Sequence, residues 1–135
     1  MELVKWESGY ELGIKEIDEQ HRKLVDILNE VIHLKASGAA ARKFEQIIED
    51  LVDYTDYHFK TEEQYMERCG YEGLAEHRRV HDGFSDRLRV LYLNTTLGDA
   101  ERTDEVLDFL KRWLLHHIMK TDRDYVGLMK EKGLN

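Results

Sequence analysis

The sequence predicts an all-α protein: an up-down-up-down antiparallel four-helix bundle with an N-terminal arm and a short C-terminal helix. Three observations point there. The chain has no proline, and 36% of its residues are charged, which suits long helices with solvated faces. Apolar residues recur in steps of three and four through four separate stretches. Turn signals divide those stretches at Gly38, at Cys69-Gly70 and at Asn94-Thr95-Thr96-Leu97-Gly98. A length of 135 residues suits one domain, expected over 1–135.

Residues 1–17 are mixed polar and aromatic and broken by Gly9 and Gly13, so they read as an arm across the helical body. Trp6, Tyr10, Leu12 and Ile14 are its expected anchors. The first helix, about 18–37, is expected to start with Asp18 as N-cap and to close at Gly38. Its stripe is Ile17, His21, Leu24, Val25, Leu28 and Ile32. His33 lies about 120° around the helix from His21 and is expected at the surface. The second helix, about 40–68, carries Phe44, Ile47, Leu51, Thr55 or Tyr54, His58, Glu62 and Tyr65. A histidine and a glutamate thus stand where leucines would serve stability better. The third, about 72–93, carries Leu74, His77, His81, Phe84, Leu88 and Leu91. The fourth, about 101–121, is capped by Asp99 or Thr103 and carries Val106, Leu110, Trp113 and His117. In the tail, 122–135, Tyr125, Leu128 and Met129 are expected to pack back as a short helix.

The net charge of −8 argues against a nucleic-acid backbone or an anionic membrane as partner, since both need clustered Lys and Arg. Cys69 is the only cysteine, so no internal disulfide forms. No signal-peptide core is seen, and no apolar run approaches the ~20 residues of a membrane span. A cytoplasmic monomer is expected.

Alternating helix direction has a further consequence. His21, His77 and His81 lie near the starts of their helices, and His58 and His117 towards the ends of theirs. Antiparallel packing brings all five to one end of the bundle. Imidazoles and carboxylates on apolar stripes are costly unless something pairs with them. His58 with Glu62, and His77 with His81, are i, i+4 pairs on shared faces. With Asp122 the set is five imidazoles and two carboxylates. That exceeds the roughly four ligands of one zinc ion. Nitrogen and oxygen donors with room for two ions suit iron.

The sequence resembles the hemerythrin family, in its bacterial form, through four motifs in family order. They are Gly13-Ile14-Lys15-Glu16-Ile17-Asp18-Glu19-Gln20-His21, His58-Phe59-Lys60-Thr61-Glu62-Glu63, His77-Arg78-Arg79-Val80-His81, and Trp113-Leu114-Leu115-His116-His117 through Asp122. The resemblance implies a non-haem di-iron centre that binds O2 reversibly, for storage, delivery or sensing, with an unnamed oxygen recipient. His77, His81 and His117 would hold one iron; His21 and His58 would hold the other and leave a position open. Glu62, Asp122 and a solvent-derived oxo or hydroxo group would bridge. Leu24, Phe59, Trp113, Leu114 and Ile118 match the family's O2-pocket positions. Of the adjacent histidines, only His117 has the motif's spacing to Trp113 and Asp122. A regular helix turns Asp122 about 140° away from His117, so a local π-type turn is predicted there.

The competing function is a di-iron oxidase- or peroxidase-like enzyme, or an iron or nitric-oxide binding protein. Ferritin-like enzymes favour two Glu-x-x-His motifs. The one such spacing here, Glu30 to His33, points off the stripe. Histidine-rich ligation favours carriage, so no enzymatic activity is expected.

Overall fold

The computed structural model describes residues 2–38, 41–97, 100–117 and 123–134. A 3-10 turn, Ser8–Tyr10, interrupts the arm. Among the described residues five helices follow: α1 Lys15–Ala36, α2 Ala41–Cys69, α3 Leu74–Leu97, α4 Ala100–His116 and α5 Arg123–Glu131. α1 packs on α2, α2 on α3 and α3 on α4, while α5 folds back against α2. None of these helices is long and apolar enough to cross a membrane.

Two helix limits differ from the sequence expectation. α1 starts at Lys15, with Ile14 in the cap position, rather than at Asp18. Asp18 turns its carboxylate backwards and accepts the backbone N–H groups of Leu12 at 2.8 Å and Gly13 at 2.9 Å. It fastens the arm to the first turn instead of capping it. Gly13 makes the corner with φ of +88°, a conformation that disfavours side chains. α3 runs to Leu97, past its expected end near 93. Asn and Thr are weak helix formers but not breakers, and no glycine precedes Gly98 there. The end of α2 falls where expected: Gly70, at φ +70°, lets the Tyr71 N–H reach the Met66 carbonyl at 2.9 Å.

The Asp18 fastening gives a first prediction. Hydrogen bonds to charged groups are worth about 1.5–3 kcal/mol. Asp18→Ala is expected to cost about 2 kcal/mol. A urea titration should show a lower midpoint at unchanged slope; an unchanged midpoint would mean the arm is held by its apolar anchors alone. Those anchors are present: Tyr10, Leu12 and Ile14 are buried, Trp6 is half-buried, and Val4 joins them.

The interior is layered. A large apolar cluster takes Leu24 and Leu28 from α1, Ile48 and Leu51 from α2, Leu88 and Leu91 from α3, and Leu107 and Leu110 from α4. A second, at the other end, joins Leu12, Ile14 and Ile17 to Met66, Tyr125 and Met129. Between the two clusters α1, α2 and α3 each place buried polar residues, and His117 joins them directly after α4. His21 falls between Ile17 and Leu24, His58 and Glu62 between Leu51 and Met66, and His81 just before Phe84.

Candidate metal centre

Glu62 is fully buried and is the hub of that polar layer. All five expected histidines turn Nε2 towards its carboxylate. On the Oε1 side are His21 at 3.4 Å, His117 at 3.2 Å and, closest, His58. On the Oε2 side are His77 at 3.3 Å and His81 at 3.6 Å. The Tyr125 hydroxyl also donates to Oε2, at 3.0 Å. The rings crowd together, with centroids 4.7 Å apart for His21 and His58 and 4.4 Å for His77 and His81.

Among the described residues, two overlapping sets could hold a cation: His21, His58, Glu62 and His117; and Glu62, His77, His81 and His117. Within each, the donor atoms lie within 4.8 Å of one another. The helix changes to π-type backbone at His117, where the sequence predicts it. His117 is buried, whereas His116 and His33 are exposed. Glu30 is exposed too, so the Glu-x-x-His spacing adds nothing to this layer. Asp122 and Ile118 lie outside the described residues.

The electrostatics ask for positive charge. Burial works to push the Glu62 carboxyl up; the charges of His58 and His117, and hydrogen bonds from His117 and His21, outweigh it and hold the group well below the usual carboxylate range. Neutral imidazoles would instead aim lone pairs at a carboxylate, a repulsion that cations between them remove. The outward ring nitrogens carry a proton in two of the rings. His58 donates Nδ1–H to Gln20 Oε1 at 2.8 Å, and His81 donates Nδ1–H to Glu63 Oε2 at 3.0 Å. Such bonds fix the tautomer and leave Nε2 as the metal-facing donor. Among the described residues the buried Nε2 of His81 has no hydrogen-bond partner, which suits a metal-ligating atom. The donors are all nitrogen and oxygen, with Cys69 engaged elsewhere through the Met66 carbonyl. The set fits iron.

Aromatic rings wall the layer. Phe59 stacks on His81 with centroids 3.7 Å apart, Trp113 on His117 at 4.8 Å, and Phe84 on Trp113 at 4.0 Å. Leu24 and Leu114 are buried in the adjoining cluster. Phe84, Tyr125, Gln20 and Glu63 were not expected as site residues. Phe84 was legible as the next stripe position after His81, and Tyr125 as part of a tail that packs back. Gln20 and Glu63 lie beside expected ligands in sequence, with no periodic signal to mark what they touch.

Fold and site together define a metal-binding antiparallel helical bundle. The family model for the hemerythrin HHE cation binding domain matches residues 12–129. A bacteriohemerythrin of Stenotrophomonas maltophilia is 35% identical over 130 residues, covering 96% of this chain and 84% of its own. One of Clostridium acetobutylicum is 33% identical over 128 residues, covering 92% and 99%. The crystal structure of wild-type hemerythrin matches with a TM-score of 0.84 at 28% identity, over 95% of this chain and 98% of that one. The chain belongs to the hemerythrin family. That family binds O2 at a non-haem di-iron centre and is not enzymatic, which disfavours the oxidase or peroxidase reading.

Proposed function

We propose that His21 and His58 hold one iron, that His77, His81 and His117 hold the other, and that Glu62 and Asp122 bridge them. The carrying observation is that the two oxygens of Glu62 face different histidine pairs, His21 and His58 against His77 and His81. A bridging carboxylate needs that division. His117 belongs to both sets, its Nε2 3.2 Å from Oε1, and the family resemblance is what assigns it to the second. The part given to Asp122 rests on the motif spacing.

When bound, the ferrous pair supplies the two electrons that O2 takes on binding and returns on leaving. The chain's own residues make the exchange reversible. Leu24, Phe59, Trp113, Leu114 and Ile118 form the proposed pocket and keep out the water and protons that would strand the irons oxidised. Gln20 and Glu63 hold His58 and His81 in the tautomer that ligates. Tyr125 steadies Glu62 through its hydroxyl. The role is oxygen storage, delivery or sensing in the cytoplasm, by a chain acting as one domain.

The test is spectroscopic. The anaerobically reduced, iron-loaded protein is exposed to O2 and returned to argon through repeated cycles. Visible absorption that appears and bleaches without loss over the cycles is expected. One-way conversion to an oxidised spectrum on first exposure would refute reversible binding.

A further inference from the structure

Two of the imidazoles, His58 and His81, differ in what stands behind them. His58 rests on a neutral acceptor: its Nδ1–H goes to the Gln20 carboxamide. Gln20 is itself buried; its amide donates to Thr61 Oγ1 at 3.2 Å, and Thr61 donates to the Tyr57 carbonyl. That chain is uncharged from end to end. His81 rests on a charged acceptor at nearly the same distance, the Glu63 carboxylate. The other oxygen of Glu63 accepts from Arg78 Nε at 3.0 Å, and Arg78 is half exposed. Glu63 also lines a polar groove between α2 and α3, beside Asp56, Asp82 and Ser85. Two ligands of one centre therefore have outward hydrogen bonds of like geometry and unlike charge.

We propose that Glu63 is a positioning residue that makes the two metal positions electronically unequal, the charged acceptor behind His81 strengthening that imidazole as a donor relative to His58. A proton drawn towards a carboxylate leaves the ring closer to imidazolate, and such outer partners raise ligand basicity. A more basic ring favours the ferric state. The inequality puts the stronger electron push on the iron held by three histidines and leaves the position proposed to meet O2 with the weaker donor. Arg78 tempers the push by sharing the charge of Glu63 from the solvent side. This inference rests on the ligand assignment proposed above.

The experiment measures the reduction potential of the iron-loaded protein, with iron counted in the same samples. Glu63→Gln keeps an acceptor for His81 and removes the charge. Arg78→Gln leaves the charge and removes its partner at an exposed position, so folding is not at stake. Glu63→Gln should keep its iron and shift the redox equilibrium about tenfold towards the reduced state, a rise of about 59 mV for a one-electron step. Arg78→Gln should shift it the opposite way by a smaller factor. Potentials equal to wild type in both variants, or shifts of one sign, would overturn the proposal while leaving the site intact. A wild-type protein that takes up no iron pair would overturn the site assignment and the proposal with it.

Discussion

Glu62→Gln is expected to abolish retention of the iron pair. The substitution changes shape little, so the loss is one of charge and donor count. Glu62 is fully buried, both of its oxygens are engaged, and five imidazoles converge on it. Glutamine offers one oxygen where two are needed and presents N–H groups to nitrogens that must themselves ligate. Removing an outer-shell partner typically weakens metal binding by 10–100-fold. Loss of the carboxylate at the hub should exceed about 100-fold on that scale. Iron measured after anaerobic loading and desalting should fall from two ions per chain to well below one. Far-UV circular dichroism of the metal-free variant should match wild type, because the two apolar clusters on either side of the layer are untouched. Full iron retention by the variant would remove Glu62 from the ligand set.

Leu114→Ala is expected to act the other way, sparing the metal and damaging its protection. Leu114 is buried one turn before His117, next to the Trp113 ring that stacks on it. It touches no ligand atom by hydrogen bonding, so the iron count should stay near two. Truncating a buried leucine leaves a cavity and costs about 2–5 kcal/mol. A space of that kind beside polar ring nitrogens admits water, unlike a cavity with only apolar lining. Water and protons near bound O2 promote its release as a reduced species. The autoxidation rate should rise roughly tenfold, equivalent to ~1.4 kcal/mol of lost barrier. It is read as decay of the oxygenated spectrum in air. An unchanged rate would take Leu114 out of the pocket.

How far the sequence alone could reach follows from the physics of each part. The helix stripes were legible because burial acts on periodicity: Leu24, Leu28, Phe84, Leu88 and Leu110 sit inside where their spacing places them. Five histidines could be brought to one level because antiparallel packing converts position along a helix into depth. His117 could be told from His116 because one residue is about 100° of rotation. Partners that reach between helices were not legible. Gln20 meets His58 across a separation of 38 residues, and Tyr125 meets Glu62 across 63. Nothing local distinguishes these polar groups from solvated ones. The start of α1 was misplaced for a related reason. Asp18 has the chemistry of a cap, and only the path of the arm decides which amides it takes.

Anomalous scattering at the iron edge, recorded from crystals of the anaerobically reduced protein, tests the ligand assignment most directly. Two iron peaks are expected in the polar layer, about 3.5–4 Å apart. Each should lie within bonding distance of Glu62, with His21 and His58 on one and His77, His81 and His117 on the other. A single peak, or two peaks with His21 or His117 turned away from both, would contradict the account.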